Sequence, residues 1–183
     1  MDVSSLKIQL HEYLMQYPND IHAIKTIDFL EQNTKFWKRE NLEGHITASA
    51  WVLSLDKSQT LLTHHKSLDS WFQLGGHIEP EDKSVWDAAL REIIEESGIV
   101  PIDSISHSIF DIDVHLIPQN KKGVPAHYHY DIRYLFFADS SQPILFDTNE
   151  SNKVCWVLIA NVADKSTQDS VLRMVRKSII SSF

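Results

Sequence analysis

The segment that most constrains the fold is a glutamate-rich stretch enclosed by glycines. It spans residues 91–96, Arg-Glu-Ile-Ile-Glu-Glu, with Gly75 and Gly76 before it and Gly98 after it. Since the chain contains 5 glycines in all, most of them bracket this one segment. The pattern predicts a helix from about Ser84 to Ser97 that ends at Gly98.

The predicted helix separates acidic from apolar side chains. At about 100° per residue, Glu92, Glu95 and Glu96 fall within an arc of about 100°. An adjacent apolar stripe, suited to packing on a sheet, consists of Trp86, Ala89, Leu90 and Ile93. Neighbouring carboxylates repel one another unless a cation lies between them. Hard oxygen ligands of this kind suit Mg²⁺, with Mn²⁺ as the alternative.

Composition narrows the class of protein. Apolar residues make up 43% and charged residues 23%, an ordinary balance for a globular chain. With a formal charge of −8 and no basic tract, nucleic acid is not expected as the main partner. The single cysteine, Cys155, excludes an internal disulfide and favours a cytoplasmic location. We expect no membrane span and no secretory signal.

Hydrophobic periodicity divides the chain near residue 40. Residues 1–40 are predicted to be a helical extension, with helices at Leu6–Tyr17 and Asp20–Gln32. This extension could act as an arm for homodimerisation, a lid over the substrate or a packing element. Residues 41–183 are predicted to form the main domain, in which a loop holds the paired glycines. Its other predicted elements are strands Ile46–Leu55, Thr60–His65, Ser106–Ile117, His127–Ala138 and Cys155–Ile159 and a final helix at Ser166–Ile180. This order predicts an α/β sandwich.

The segment that ends at Ile99 resembles a Nudix box, whose pattern is G-x5-E-x7-R-E-U-x-E-E-x-G-U, with U an aliphatic residue. Residues Arg91–Ile99 match every fixed position of its second half. The first half is one residue longer than the pattern, and its first glutamate corresponds to Asp82 or Lys83. We expect the insertion in the loop before the helix, where it leaves the carboxylates in place. The resemblance is to bacterial-type members.

The resemblance implies a fold and an activity. The fold would be a Nudix-like α/β/α sandwich with a mixed sheet. The activity would be Mg²⁺-dependent hydrolysis of a diphosphate bond in a nucleoside diphosphate derivative or similar small molecule, by water attack on phosphorus. Glu92 and Glu96 would be metal ligands, and Glu95 a further ligand or the base. Arg91 would hold a glutamate in position.

Further residues enter through the same resemblance. A backbone carbonyl, of Gly75 or Gly76, would complete the metal coordination. The loop near the substrate would comprise Gly75, Gly76, His77 and Glu79. Glu150 lies where Nudix enzymes often place an additional carboxylate, although a solvated loop glutamate is the simpler interpretation.

A polar strand follows later in the chain. On a strand from His127, the side chains of His127, His129 and Asp131 share one face. They could contact a substrate phosphate, bind an auxiliary metal, or belong to a structural network in which Asp131 pairs with Arg133 and the intervening tyrosines enter the core. The same alternation occurs one predicted strand earlier, at Asp111, Asp113 and His115.

Two other functions remain compatible with these patterns. A Nudix fold can serve as a catalytically weak ligand-binding or regulatory module. The intact sequence from Arg91 to Glu96 argues against that hypothesis, because a module without catalysis does not need clustered, repelling carboxylates. RNA decapping is chemically similar, but the acidic charge of the chain disfavours it.

Overall fold

A computed structural model describes residues 2–102, 107–120, 123–149 and 151–180. The described helices are α1 (Val3–Gln16), α2 (Ile21–Gln32), α3 (Val85–Ser97), α4 (Asp169–Ile180) and a 3-10 helix (Ile159–Asp164). The described strands are β1 (Gly44–Ser54), β2 (Gln59–His65), β3 (Ser70–Phe72), β4 (Leu74–His77), β5 (Ile109–Ile117), β6 (His127–Ala138) and β7 (Ser151–Leu158). They confirm a mixed α/β fold with N-terminal helices and a seven-stranded mixed sheet.

Two short strands were not predicted from the sequence. The segment expected to be a glycine loop contains β3 and β4, so Gly75, Gly76 and His77 lie on a strand that pairs with β1. Strands this short show no readable alternation, and glycine is depleted in strands, so pairing with a neighbour decides their conformation. The last helix begins at Asp169 instead of Ser166, and a 3-10 helix at Ile159–Asp164 precedes it.

Local capping sets the helix ends. The Asp20 carboxylate accepts the backbone N–H groups of His22 and Ala23, at 2.9 and 3.0 Å, at the start of α2. At the start of α3, the Ser84 hydroxyl accepts the N–H of Asp87 at 3.1 Å and donates to its carboxylate at 2.7 Å. These bonds satisfy N–H groups that have no partner within the helix.

The chain divides into two compact units. The first comprises Met1–Ser49, Gly76–Ala89 and His107–Tyr134. Within it, α1 packs on α2 and both contact β5, which pairs with β6 in antiparallel fashion. The ring of Phe29 stacks on that of Tyr130 with centroids 4.1 Å apart. Phe36 is 3% exposed and accepts the Ile46 N–H through its carbonyl, so it anchors the connector after α2.

The second unit comprises Ala50–Gly75, Leu90–Ser106 and Leu135–Phe183. Within it, β2 pairs with both β3 and β7 in antiparallel fashion. The buried Trp51 indole donates to the Ser178 hydroxyl on α4 at 2.8 Å. Every residue of β1, which runs through both units, is buried, as expected for a strand covered on both faces. No described helix is long and apolar enough to cross a membrane.

Candidate functional site

Helix α3 carries the predicted carboxylates on a solvent-accessible side. Of the predicted apolar stripe, Ala89 and Ile93 are fully buried and Trp86 is 8% exposed, whereas Leu90 is only partly buried. Ala88, one turn before Glu92 on the carboxylate side, is fully buried as well. Because residues three and four apart lie on one helix face, burial of this stripe leaves the glutamates outside the core. The helix therefore presents acidic groups from a rigid, packed support.

Arg91 bridges two of these glutamates. Its Nη1 donates to Glu92 Oε1 at 2.9 Å and to Glu95 Oε2 at 2.7 Å. The Glu92 side chain is 13% exposed, whereas that of Glu95 is 58% exposed. One guanidinium thus orients a sheltered and an exposed carboxylate at once and offsets part of their mutual repulsion.

Glu96 contacts the glycine pair. The backbone N–H of Gly75 donates to Glu96 Oε2 at 3.0 Å. Gly75 has a φ of 153°, a conformation that favours glycine because other residues would place a Cβ against the backbone. The glycine pair thus contacts the helix through a backbone N–H on β4, while a metal contact of its carbonyls stays a prediction.

The predicted site residues divide between the two units. Gly75, Arg91, Glu92, Glu95 and Glu96 belong to the second unit, whereas the first unit contains Gly76, His77, Glu79, His127, His129 and Asp131. Glu150, the proposed additional carboxylate, lies outside the described residues. The roles assigned to all these residues remain predictions.

Glu79 and Asp82 shape the turn that follows β4. The Glu79 carboxylate pairs with Arg39, and the Glu79 N–H donates to Asp82 Oδ2 at 2.8 Å. Asp82 is one of the two positions that correspond to the first glutamate of the Nudix pattern. A carboxylate that accepts a backbone N–H across three residues closes the turn locally.

A cluster of histidines lies in the first unit. His45 on β1, His77 on β4 and His129 on β6 each offer a ring nitrogen within 4.8 Å of the others. The His127 ring lies 5.1 Å from that of His45 and 5.2 Å from that of His129, between centroids. His127 Nδ1 lies 2.8 Å from the Pro125 carbonyl oxygen.

Burial keeps three of these imidazoles uncharged. Burial, followed by the nearby histidines, lowers the pKa of His45 to about 4 and that of His129 to about 2. For His77, burial and then the charge of Arg39 lower the pKa to about 4. Desolvation disfavours the imidazolium form, so these rings are neutral near pH 7.

Asp131 belongs to a buried charge network. Arg133, which is 2% exposed, donates to Asp131 at 2.8 Å and to Asp111 at 3.2 Å, and lies 3.6 Å from Asp113. Burial alone would lower the pKa of Arg133, but the three aspartates raise it above its ordinary value. The hydroxyls of Thr47 and Ser49 also donate to Asp131, at 3.0 and 2.8 Å.

This network contains the main contact expected if Asp131 has a structural role, which is its pair with Arg133. The pair with Arg133 is present, and Tyr130 is buried as that interpretation expects. Tyr128 does not enter the core, since it is 44% exposed. Tyr128 lies near the start of β6, where the burial of alternate residues is incomplete.

The sequence did not predict that His45 and His77 lie in one cluster with His129 of β6. His45 alternates with Thr47 and Ser49 along β1, which is a signal for one polar strand face. The sequence contains no such signal for His77, because its strand is too short to show a period. Only strand pairing brings these residues together.

A family model described as NUDIX domain matches residues 44–176. No curated protein sequence matches the chain significantly.

Solved structures resemble the chain at low sequence identity. A NUDIX-family hydrolase from Clostridium perfringens is 21% identical, with a TM-score of 0.56 over 74% of this chain and 97% of that one. An Ap4A hydrolase from C. elegans, in a binary complex, is 17% identical, with a TM-score of 0.53 over 72% of this chain and 93% of that one. The NUDIX domain of Shewanella oneidensis NrtR, complexed with ADP ribose, is 17% identical, with a TM-score of 0.54 over 84% of this chain and 96% of that one. Each likeness supports the fold.

Proposed function

The chain belongs to the Nudix family of hydrolases, and we propose that it uses Mg²⁺ to cleave a diphosphate bond in a nucleoside diphosphate derivative or similar small molecule. Membership makes it a Nudix-type diphosphate hydrolase. The observation that carries the finer proposal is the contact of Arg91 with both Glu92 and Glu95, beside a Glu96 held by Gly75. A purely structural acidic face has no need of such ordering.

Glu92 and Glu96 fit a hard divalent cation by the chemistry of their donor atoms. Both are carboxylates on a packed helix, and each has one oxygen oriented by a hydrogen bond, from Arg91 or from Gly75. Ligands oriented in this way suit a metal site, and oxygen donors select Mg²⁺ or Mn²⁺ over softer ions. We propose these two glutamates as ligands, with a backbone carbonyl, of Gly75 or Gly76, completing the set.

When bound, the metal ion would neutralise phosphate charge and lower the pKa of the attacking water. Residues of the chain hold the proposed ligands in place. Arg91 holds Glu92 and Glu95 in fixed directions, and the Gly75 N–H does the same for Glu96. Glu95, the most exposed of the three glutamates on α3, is proposed as a further ligand or as the acceptor of the proton from water.

The family and related structures support the proposed substrate class. Those relatives include an Ap4A hydrolase, a dihydroneopterin triphosphate pyrophosphohydrolase from E. coli and a domain complexed with ADP ribose. Phosphate anhydrides linked to a nucleoside or pterin are common to all three names. We propose a small molecule of this class as the substrate, and the cytoplasm as the place where the protein acts.

We also propose that residues 1–40 form a helical extension of a Nudix domain that spans residues 41–183.

A substrate panel tests this proposal. Nucleotide sugars, dinucleoside polyphosphates and nucleoside triphosphates are incubated with the full chain and Mg²⁺ or Mn²⁺, and released phosphate and nucleotide are measured. We expect metal-dependent cleavage of at least one of these compounds, and its abolition by a chelator. Binding without cleavage across the whole panel would instead favour a regulatory module.

A further inference from the structure

The histidine cluster has unsatisfied hydrogen-bonding capacity in a buried place. His45 is 1% exposed, and neither of its ring nitrogens has a hydrogen-bond partner among the described residues. His129 Nε2 is also buried and has no hydrogen-bond partner among the described residues. A buried polar atom without a partner costs about 1–3 kcal/mol, and a ligand that takes up these atoms would offset that cost.

We propose that His45, His77 and His129 form a binding site for one transition-metal ion of the Zn²⁺ class, with a ligand set distinct from the α3 carboxylates. Imidazole nitrogen suits Zn²⁺, Cu²⁺, Ni²⁺ and Fe²⁺, whereas Mg²⁺ and Ca²⁺ prefer oxygen. Three protein ligands leave a position for water, as in zinc centres with an open site.

The spacing of the three histidines is close to that of ligands around one tetrahedral metal ion. A coordinating atom from each histidine lies within 4.8 Å of the other two. Around a tetrahedral ion with bonds of about 2.0–2.1 Å, nitrogens are about 3.3 Å apart. Side-chain rotations that move each ring by about 1 Å close this difference. The ligands come from three strands, and strands hold such groups more rigidly than loops do.

The charge state of the rings favours a metal over a phosphate. Burial lowers the pKa of His45 and of His129 well below 7, so the lone pairs of these two rings are available for coordination. Neutral rings offer a phosphate no positive charge. Arg39, the cation that acts on His45 and His77, is itself paired with Glu79.

Carboxylates lie near the histidine cluster. The His115 ring lies 5.6 Å from that of His129, and its Nδ1 lies 3.0 Å from Asp113. Asp113 and the aspartates around Arg133 set three carboxylates against one guanidinium. A divalent cation at the three histidines would be attracted by these carboxylates.

Metal titration of the full chain tests the proposal. The purified protein is stripped with a chelator and divided in two. One portion is titrated with Zn²⁺, with stoichiometry measured by elemental analysis after dialysis. The other portion, still free of metal, is titrated with Co²⁺ as a spectroscopic probe, because Co²⁺ does not displace the more tightly bound Zn²⁺. We expect one Zn²⁺ per chain and the strong visible absorption of four-coordinate Co²⁺. His77→Ala and His129→Ala should each weaken Zn²⁺ binding by at least about 100-fold, the upper end for disturbed metal sites.

Two control variants separate this site from others. His11→Ala changes an exposed histidine on α1, and Glu96→Gln changes the α3 carboxylates; both should bind Zn²⁺ as the unaltered chain does. Loss of Zn²⁺ in Glu96→Gln but not in His77→Ala would overturn the proposal. So would the weak spectrum of six-coordinate Co²⁺ in the unaltered chain, a result that does not depend on whether a variant folds.

Discussion

At the scale of single residues, two arginines with similar partners have different surroundings. Arg91 is 24% exposed where it contacts Glu92 and Glu95, and water screens these pairs. Arg133 is 2% exposed among three aspartates, where little screening is available. Removal of the first charge should therefore affect the orientation of the proposed ligands, and removal of the second should affect folding.

Substitution of Glu96 tests the proposed metal site. We expect Glu96→Gln to lower Mg²⁺-dependent turnover by at least about 100-fold, because a neutral amide is a poorer metal ligand. The free energy of unfolding should change little, since the amide oxygen can still accept the Gly75 N–H. Steady-state rates and urea denaturation measure the two effects, with the exposed Glu12→Gln on α1 as the control. Full turnover in folded Glu96→Gln would remove this residue from the site.

Substitution of Arg133 tests the buried network. Arg133→Met leaves three aspartates without their guanidinium and should lower the free energy of unfolding by about 3–5 kcal/mol. The control is Arg176→Met, which removes an exposed pair with Asp169 at 3.2 Å and should cost less than about 1 kcal/mol. Equal effects of the two substitutions in urea denaturation would contradict the assigned role of burial.

At the scale of elements, α3 depends on how it ends. Gly98 has a φ of +68°, and its N–H donates to the Ile94 carbonyl at 2.9 Å. This left-handed residue turns the chain away from the helix axis, and the Leu145 N–H then donates to the Ser97 carbonyl. The glutamates occupy the last two turns of α3, so their positions depend on this end.

Gly98→Ala tests that dependence. A left-handed conformation costs a residue with a Cβ about 1–2 kcal/mol, and a Cβ at this position would lie 3.0 Å from Leu145 Cβ. We expect a larger loss of unfolding free energy than in Gly123→Ala, where φ is also positive at +85° but no atom lies within 4 Å of the added Cβ. The comparison by urea denaturation isolates the contact, and an equal loss in both variants would argue against it.

At the scale of the whole molecule, the N-terminal helices are packed and not merely attached. Leu10 on α1 is fully buried, and the Tyr134 hydroxyl on β6 donates to Gln9 at 2.9 Å. Such contacts join the start of the chain to residues far along the sequence, within the first unit. A detached arm would bury no such side chains.

Leu10→Ala tests whether the extension contributes to the stability of the folded chain. We expect a loss of about 2–5 kcal/mol in unfolding free energy, the range for a large-to-small change in a core. Ile8→Ala, at a 60% exposed position on the same helix, should have little effect. An unchanged urea midpoint in Leu10→Ala would mean that α1 is dispensable.

The predictions from sequence succeeded where interactions are local. The Nudix family, the mixed α/β fold and the approximate span of α3 were all readable from one continuous segment and from hydrophobic periods. Glutamates three and four residues apart share a helix face whatever the rest of the chain does. The roles of these carboxylates remain predictions, but their arrangement required no knowledge of distant residues.

Tertiary structure decided what depends on contacts between distant strands. β3 and β4 were not predicted, because strands of three or four residues become regular only through pairing. The cluster of His45, His77 and His129 joins three strands, and no local spacing encodes it. Asp131 likewise acquired its hydroxyl partners, Thr47 and Ser49, from β1. The sequence by itself determined the composition and face of α3, whereas sheet register determined which buried polar groups meet, because register is a property of paired strands and not of any one of them.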